Sequence, residues 1–300
     1  MTRPRPRLAV TLGDPRGIGA EIVAAALADA RVHARAELVI VGPSGTVVPA
    51  NEEIGAWASG GSAAHGGKLA GLAIERAVAL ARAGEVQGIV TAPIDKHALF
   101  AGGYDFPGHT EMLAALTGSH VAMMLASDRL RVVLVTTHIA LADVPRALTH
   151  ARIVECAEIT RRGLEQLYGI AEPRIALCAL NPHMGDGGRF GAEDDTLLAP
   201  AARAANILGP FPADTVFVRA MRGAFDAVLA PYHDVGMTAI KVASFGSAVN
   251  VTMGLPFPRT SPDHGTALDI AGQNRADPAS MIAAILECAR FTEATATAKN

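Results

Sequence analysis

Residues 8–32, "LAVTLGDPRGIGAEIVAAALADARV", contain a complete strand, turn and helix, and they decide the fold class. The apolar "LAVTL" is typical of a buried strand, and the alanine-rich stretch over residues 20–32 predicts a helix. Glycines 13, 17 and 19 lie between them. Their spacing departs from the G-x-G-x-x-G dinucleotide fingerprint, so a tight turn and a ligand-binding loop both stay open.

The same unit recurs along the chain. Six further β-rich runs alternate with helical stretches: "ELVIVG", "GIVTAP", "RVVLVTTH", "RIALCALN", "DAVLAPYH" and "AVNVTMG". This alternation predicts an α/β fold with a largely parallel sheet, in which ligands bind at the carboxyl ends of the strands. Polar clusters follow five of the strands: "GDPRG", "DK", "TTH", "NPH" and "YHD". We therefore expect a binding site at these strand ends.

Composition excludes several classes of protein. Hydrophobic residues make up 50% of the 300 residues and charged residues 18%, which predicts a packed core rather than disorder. The net charge is −3, which argues against nucleic acid as a partner. No apolar run is long enough to cross a membrane. Cys156, Cys178 and Cys288 are far apart in apolar surroundings, which is typical of buried thiols in the cytoplasm.

Three histidines share a position just after a strand: His138, His183 and His233. Each alone is better explained as a satisfied polar residue. If the strands lie side by side, the three imidazoles emerge at one edge, and three neutral histidines with an open position describe a catalytic divalent-metal site. Asp234 follows His233 and could orient that imidazole or act as a base.

Lys241, Asn250 and Arg259 interrupt an otherwise apolar region, and no acidic residue lies between them. Two cations in such surroundings are costly unless they are paired. A bound phosphate would satisfy both cations and would suit the fork geometry of Arg259. Solvated strand ends are the alternative.

The order of the motifs resembles the 4-hydroxythreonine-4-phosphate dehydrogenase family of vitamin B6 biosynthesis. The resemblance extends from residue 8 to about residue 285 and rests on eight segments: "GDPRGIGAEI", "VTAPIDKHAL", "PGHTEML", "TTHIALADVPRAL", "LNPHMGDGGRFGAEDD", "PADTVF", "YHDVGM" and "VNVTMGLPFPRTSPDHGTALDIAG". It implies a two-domain isocitrate/isopropylmalate dehydrogenase-like fold with mainly parallel sheets and an active site in the interdomain cleft. The expected domains are a nucleotide-side domain (1–125 and 250–300) and a metal, substrate and dimerisation domain (126–249).

The resemblance also implies roles for individual residues. The family's metal ligands correspond to the three strand-end histidines, with ligands drawn from both chains of a homodimer. Substrate contacts correspond to His109, Thr110, Lys241, Asn250 and Arg259. Candidate proton-handling residues are Asp214 and Asp234. The adenosine side of the cofactor corresponds to His264, Gly265, Thr266 and Asp269.

The implied reaction is oxidation of 4-hydroxythreonine 4-phosphate by NAD or NADP with a divalent cation (zinc, magnesium or cobalt). The β-keto acid formed then loses carbon dioxide to give 3-amino-2-oxopropyl phosphate in pyridoxal phosphate biosynthesis. An ionised Asp269 facing the ribose would favour NAD by repelling a 2′-phosphate.

Other interpretations stay open. Val235 stands where the family usually has glutamine, "GDP" replaces the commoner "GEP", and residues 42–71 look shortened. These differences leave open that the substrate is another phosphorylated hydroxy acid, such as 4-phosphothreonate or 4-phosphoerythronate. A phosphate-ester binding protein without a redox step is a further alternative, which the "HGTALDIAG" loop disfavours. A metal-dependent phosphohydrolase would need a tighter carboxylate cluster.

Overall fold

The computed structural model describes residues 4–244 and 247–298 and confirms a mixed α/β architecture with mostly parallel strand pairing. The strands are Arg7–Thr11 (β1), Glu37–Ser44 (β2), Glu52–Ala56 (β3), Gly88–Thr91 (β4), Ala122–Ala126 (β5), Arg131–Leu134 (β6), Ile175–Cys178 (β7), Leu208–Phe211 (β8), Ala227–Ala230 (β9), Val249–Met253 (β10) and Arg259–Pro262 (β11). Each of the seven strands predicted from the sequence is present.

Helices fill most of the connections between the strands. They are Gly19–Leu27 (α1), Ala30–Arg35 (α2), Ala63–Arg82 (α3), Lys96–Ala101 (α4), His109–Thr117 (α5), Val144–Ala147 (α6), His150–Tyr168 (α7), Ala199–Ala204 (α8), Ala213–Met221 (α9), His233–Ser244 (α10) and Ala279–Ala298 (α11). A π-helical turn, Asp194–Leu198, precedes α8.

The chain divides into two compact units, Met1–His120 with Val249–Asn300 and Val121–Ala248. The first unit has the strand order β3-β2-β1-β4-β11-β10. Its strands pair in parallel except for β10, which is antiparallel to β11. Buried side chains of β1, β2, α3 and α5 form a core cluster in this unit. The nucleotide-side role expected for residues 1–125 and 250–300 stays a prediction. The metal, substrate and dimerisation role expected for residues 126–249 also stays a prediction.

The second unit has the strand order β5-β6-β9-β7-β8. Strands β6, β9, β7 and β8 pair in parallel, and β5 is antiparallel to β6. Its core combines these strands with α9 and α10. The carboxyl ends of β6, β9 and β7 therefore lie at one edge of this part of the sheet, as the sequence predicted.

The turn after β1 is organised by Asp14, whose side chain is fully buried. Its carboxylate accepts hydrogen bonds from the backbone N–H of Arg16 at 3.0 Å and from the Arg16 guanidinium at 2.7 Å. The buried carboxylate is thus paired, and the "GDPRG" segment is a tight β-to-α turn. This supports the interpretation of its glycines as residues of a tight turn rather than of a ligand-binding loop.

Two predicted helices are each divided in two. The helix expected over residues 20–32 breaks at Asp29, which is extended and caps α2 by accepting a hydrogen bond from Arg31 N. The helix expected over residues 143–169 breaks at Thr149, which caps α7 by accepting one from Arg152 N. In both cases a short polar side chain competes with the continuing helix for the backbone.

The three cysteines are free and buried, as predicted. Desolvation raises the pKa of each thiol to about 12, so they are unreactive core residues. The cytoplasmic location inferred from them stays a prediction. Within the described ranges, none of the helices has the length and apolar character needed to span a bilayer.

Candidate active site

Arg259 is the centre of the polar site in the first unit. It begins β11, between β4 and β10, and is only 1% exposed. Its guanidinium donates one hydrogen bond to Thr252 Oγ1 at 2.8 Å and another to Thr91 Oγ1 at 2.6 Å. Both partners are neutral hydroxyls on the neighbouring strands, and Arg259 Nε has no partner. Within the described residues, Arg259 therefore has no ion pair to neutralise its charge.

Burial changes the acidity of this guanidinium. Desolvation lowers the pKa of Arg259 to about 10, and the nearby Glu111 and Cys288 oppose that shift. At neutral pH the group is still charged. A buried, charged guanidinium with a free donor is a site for an anion with several oxygens.

His109 is the second member of the site. It is the first residue of α5, where unsatisfied backbone N–H groups favour an anion. Its Nε2 atom is buried without a hydrogen-bond partner among the described residues. Desolvation, followed by the charges of Arg259 and Lys96, holds the pKa of His109 well below its usual value. The imidazole is consequently neutral at physiological pH.

The remaining expected substrate contacts are placed as follows. Asn250 lies on β10, opposite Ser261 of β11, and its Oδ1 atom is buried without a partner within the described chain. Thr110 follows His109 on α5 and is half-buried. Lys241 is exposed on α10, in the second unit. Three of the expected substrate contacts in the first unit therefore carry unsatisfied polar atoms: His109, Asn250 and Arg259.

Two of the three strand-end histidines are brought together. The rings of His138 and His233 have centroids 5.4 Å apart. They follow β6 and β9, which pair in parallel, and the loops after these strands are joined by the hydrogen bond from Thr136 Oγ1 to Pro231 O at 2.7 Å. Sequence reasoning placed these imidazoles at one edge, and the structure places them in contact.

His183 lies apart, on an exposed loop after β7. His183 and Met184 have positive φ angles of 52° and 58°, a strained conformation for residues other than glycine. Across residues 4–244 and 247–298 of one chain, no group of three or more His, Cys, Asp or Glu side chains could hold a metal ion. A single chain therefore supplies two imidazoles of the expected set, and the full three-histidine site does not form within it.

The acidic candidates differ in their surroundings. Asp234 Oδ1 lies 2.7 Å from His233 Nδ1, so the carboxylate accepts a hydrogen bond from this ring nitrogen. This is the usual arrangement of a carboxylate that orients a metal-binding histidine. Asp214 is exposed in the first turn of α9.

The expected cofactor residues lie on the loop that follows β11. His264 has a buried Nε2 atom without a partner in the described structure. Gly265 is exposed, and the Thr266 carbonyl accepts a hydrogen bond from Ile18 N at the start of α1. Asp269 is exposed, so its carboxylate is available to a ligand. The unsatisfied nitrogen and the exposed loop fit a bound nucleotide.

Several residues of the site were not found by sequence reasoning. Thr91 and Thr252 hold the Arg259 guanidinium, but a threonine in a strand looks like an ordinary strand former. Asp194 is fully buried and accepts hydrogen bonds from Leu180 N and Asn181 N, before the His183 loop. Its only sequence signal was a run of three acidic residues after the glycine-rich segment.

Comparison with known proteins identifies relatives across almost the whole chain. Residues 14–288 match the family model described as pyridoxal phosphate biosynthetic protein PdxA. A 4-hydroxythreonine-4-phosphate dehydrogenase from Geobacter metallireducens is 42% identical over 97% of this chain and 97% of its own length. A D-threonate 4-phosphate dehydrogenase from Cupriavidus necator is 41% identical over 95% of this chain and 97% of its own length.

Solved structures agree with these matches. The crystal structure of 4-hydroxythreonine-4-phosphate dehydrogenase from Klebsiella pneumoniae has a TM-score of 0.83 at 37% identity, covering 96% of this chain and 99% of that chain. A β-decarboxylating dehydrogenase from Thermococcus kodakarensis has a TM-score of 0.52 at 17% identity, covering 94% of this chain and 81% of that chain. At such low sequence identity the match shows the fold alone. The dehydrogenase fold expected from the motifs is confirmed.

Proposed function

The chain belongs to the family of the pyridoxal phosphate biosynthetic protein PdxA, and from that membership we propose that it oxidises 4-hydroxythreonine 4-phosphate with a nicotinamide cofactor. The product would be a β-keto acid that decarboxylates to 3-amino-2-oxopropyl phosphate. The observation that carries the proposal is the buried guanidinium of Arg259, which has hydroxyl partners but no carboxylate partner among the described residues.

A phosphate explains this arginine. An isolated buried cation is unfavourable, and a phosphate dianion supplies both the opposite charge and the oxygens for a forked hydrogen bond. The Arg259 Nε–H has no partner among the described residues, and each terminal nitrogen keeps a second N–H beyond the one it donates to Thr91 or Thr252, so donors remain for the fork. The hydroxyls hold the guanidinium in place before the substrate arrives, so less side-chain entropy is lost on binding.

His109 and Asn250 would hold other parts of the substrate. A neutral imidazole can donate a hydrogen bond from one nitrogen and accept one at the other, and the unsatisfied Asn250 Oδ1 is an acceptor. We assign Thr110 and Lys241 as further substrate contacts on the family resemblance. Together these groups would fix the carbon that carries the reacting hydroxyl, so that hydride leaves in one direction.

The loop after β11 is the candidate site for the nicotinamide cofactor. His264 Nε2 would bond the nucleotide, and Gly265 and Thr266 would let the backbone approach it closely. The cofactor supplies the hydride acceptor when bound. The exposed Asp269 carboxylate favours NAD over NADP, because a 2′-phosphate beside it would be repelled.

His138 and His233 are the candidate ligands of a divalent cation, such as zinc, magnesium or cobalt. One chain brings only these two imidazoles together, so the proposal needs His183 of a second copy to complete the set. The contact between Asp234 and His233 Nδ1 supports an orienting role for this carboxylate, which could also take up the substrate proton. Asp214 is the other candidate for proton transfer.

A second substrate has specific support. Two relatives named for D-threonate 4-phosphate, one of them putative, are 41% and 40% identical over 95% and 98% of this chain, close to the 42% of the first relative. A threonate ester would use the same phosphate clamp on Arg259. The two substrates differ at the carbon next to the carboxylate, where one has an amine and the other a hydroxyl.

A direct assay separates these functions. The protein is mixed with a divalent cation, NAD or NADP, and each phosphorylated acid, and the absorbance of reduced nicotinamide is followed together with released carbon dioxide. The proposal predicts both signals with 4-hydroxythreonine 4-phosphate at the highest kcat/KM. A higher kcat/KM with D-threonate 4-phosphate would select the alternative, and no reduction with any phosphorylated hydroxy acid would reject the dehydrogenase assignment.

A further inference from the structure

We propose that Glu21 is a positioning residue of the dinucleotide site, because its carboxylate holds the cofactor loop (residues 264–275) against α1. The inference rests on the proposed function, which assigns that loop to the nicotinamide cofactor. Glu21 itself lies in the first turn of α1, within the segment "GDPRGIGAEI", and none of the roles assigned to the site residues falls on it.

Glu21 contacts the far end of the cofactor loop with both of its carboxylate oxygens. Oε1 accepts a hydrogen bond from the backbone N–H of Gly272, and Oε2 accepts one from the backbone N–H of Asn274 at 3.1 Å. These bonds join positions that are 251 and 253 residues apart in the sequence. A carboxylate that accepts from two backbone N–H groups makes charge-assisted bonds, which are stronger than neutral ones.

The near end of the loop is held by the start of the same helix. Ile18 N donates to Thr266 O at 3.0 Å. At Gly17 a Cβ atom would lie 2.8 Å from Thr266 O and 2.9 Å from Thr266 Cβ, closer than real side chains come. The absence of a side chain at Gly17 therefore allows the loop to approach α1, while Glu21 fastens its other end.

Within the described residues, the other hydrogen bonds of the loop lie inside the loop itself. Between residues 265 and 274 its internal backbone hydrogen bonds run from Ile270 N to Ala267 O and from Gln273 N to Ile270 O, both within single turns. Ala267 and Asn274 have positive φ angles of 42° and 54°, a conformation that needs support from its surroundings. We infer that without Glu21 the loop samples other positions, and cofactor binding must then restrict it.

Two variants of Glu21 remove one or both of its hydrogen-bond acceptors. Glu21→Gln keeps the length of the side chain, but only one of its terminal atoms accepts a hydrogen bond, so one backbone N–H loses its partner. Glu21→Ala removes both acceptors. Gly17→Ala tests the near end of the loop independently, because its Cβ would push Thr266 away from α1. Glu158→Gln is the matched control, since Glu158 is an exposed glutamate on α7 whose side chain makes no hydrogen bond or ion pair in the described structure.

Two measurements are made on each protein, after thermal unfolding has established that it folds. The first is hydrogen exchange of the Gly272 and Asn274 amides in the cofactor-free protein. The second is the Kd for NAD and for NADP, with kcat at saturating cofactor. We expect Glu21→Ala to exchange these amides faster and to raise the Kd of the preferred cofactor about tenfold or more, with Glu21→Gln intermediate. The value of kcat should stay close to wild type, and Glu158→Gln should match wild type in every measurement.

The outcomes distinguish this inference from the proposed function. Unchanged exchange in Glu21→Ala, or faster exchange with an unchanged Kd, would overturn the positioning role while leaving the dehydrogenase assignment intact. A fall in kcat with no change in Kd would also overturn it. If the wild type bound neither NAD nor NADP, the proposed function would fail, and this inference would fail with it.

Discussion

His109 is a histidine whose surroundings oppose protonation. Desolvation is the largest cause, and the cations Arg259 and Lys96 add to it, so the pKa of His109 lies well below the ordinary value of 6.5. The unfolded chain has no such surroundings. The difference makes the free energy of unfolding depend on pH.

Lowering the pH from 7 to 5 should destabilise the wild type by up to about 2 kcal/mol through this residue alone. The stability due to a neutral His109 is fully present above pH 6.5, and it is lost as the pH falls through 6.5 towards the folded pKa, because only the unfolded chain gains the proton. Urea unfolding at both pH values measures it. His109→Gln should lose correspondingly less than wild type, and His97→Gln, a substitution of an exposed histidine on α4, should lose as much. Equal losses in all three proteins would show that His109 titrates normally.

Residue chemistry was partly predictable from the sequence. Arg259 stood out because a cation in an apolar segment requires a partner, and among the described residues it is buried without an ion pair. Its supports Thr91 and Thr252 were not predictable, because their role depends on which strands flank β11. Strand order is a long-range property that local sequence does not encode.

At the scale of elements, the loop after β7 depends on one buried carboxylate. Asp194 accepts hydrogen bonds from Leu180 N at 2.8 Å and Asn181 N at 2.9 Å. Glu193 next to it accepts one from the Asn181 side chain at 2.8 Å. The π-helical turn that begins at Asp194 therefore closes the loop that carries His183.

Asp194→Ala should lower the free energy of unfolding by about 2–6 kcal/mol, because two backbone N–H groups lose their acceptor and each costs about 1–3 kcal/mol. Urea unfolding measures the loss. Asp195→Ala is the control, since that neighbouring carboxylate is exposed, and it should change stability by less than about 0.5 kcal/mol. If the two variants were equally stable, the two hydrogen bonds would not be important for the fold.

Elements with strong periodicity were predicted, and those with mixed composition were missed. The strand β5, "AMMLA", consists of residues that favour helices, and β11, "RTSP", contains an arginine and a proline. Both become strands because they pair with β6 and β10 respectively. The helix α10 was missed because it begins at His233, which the sequence analysis assigned to the loop after a strand.

At the scale of the whole molecule, the proposed metal site requires a second copy of the chain, and the homodimer stays a prediction. One chain joins His138 and His233 but keeps His183 on a separate exposed loop. Both regions carry exposed apolar side chains, with Leu141 68% and Phe190 49% exposed.

Mixed dimers test a shared site. If each site takes His138 and His233 from one chain and His183 from the other, His183→Ala mixed with His233→Ala regenerates one intact site in each mixed dimer. Random assortment should then restore about a quarter of the wild-type metal content and activity. The control mixture, His138→Ala with His233→Ala, should restore none, because both losses fall on the same half of the site. Equal behaviour of the two mixtures, or a fully active monomer in sedimentation, would contradict the shared site.

The most direct test of the account compares phosphorylated with dephosphorylated substrate in the wild type and in Arg259→Ala. The wild type should strongly prefer the phosphorylated form. Arg259→Ala should lose about one to two orders of magnitude in kcat/KM for that form only, because charge-assisted hydrogen bonds contribute roughly 1.5–3 kcal/mol each. Arg259→Lys should recover part of the loss, since an ammonium cannot replace the fork. Equal kcat/KM of the wild type for both forms would contradict the phosphate clamp and the phosphorylated substrate with it.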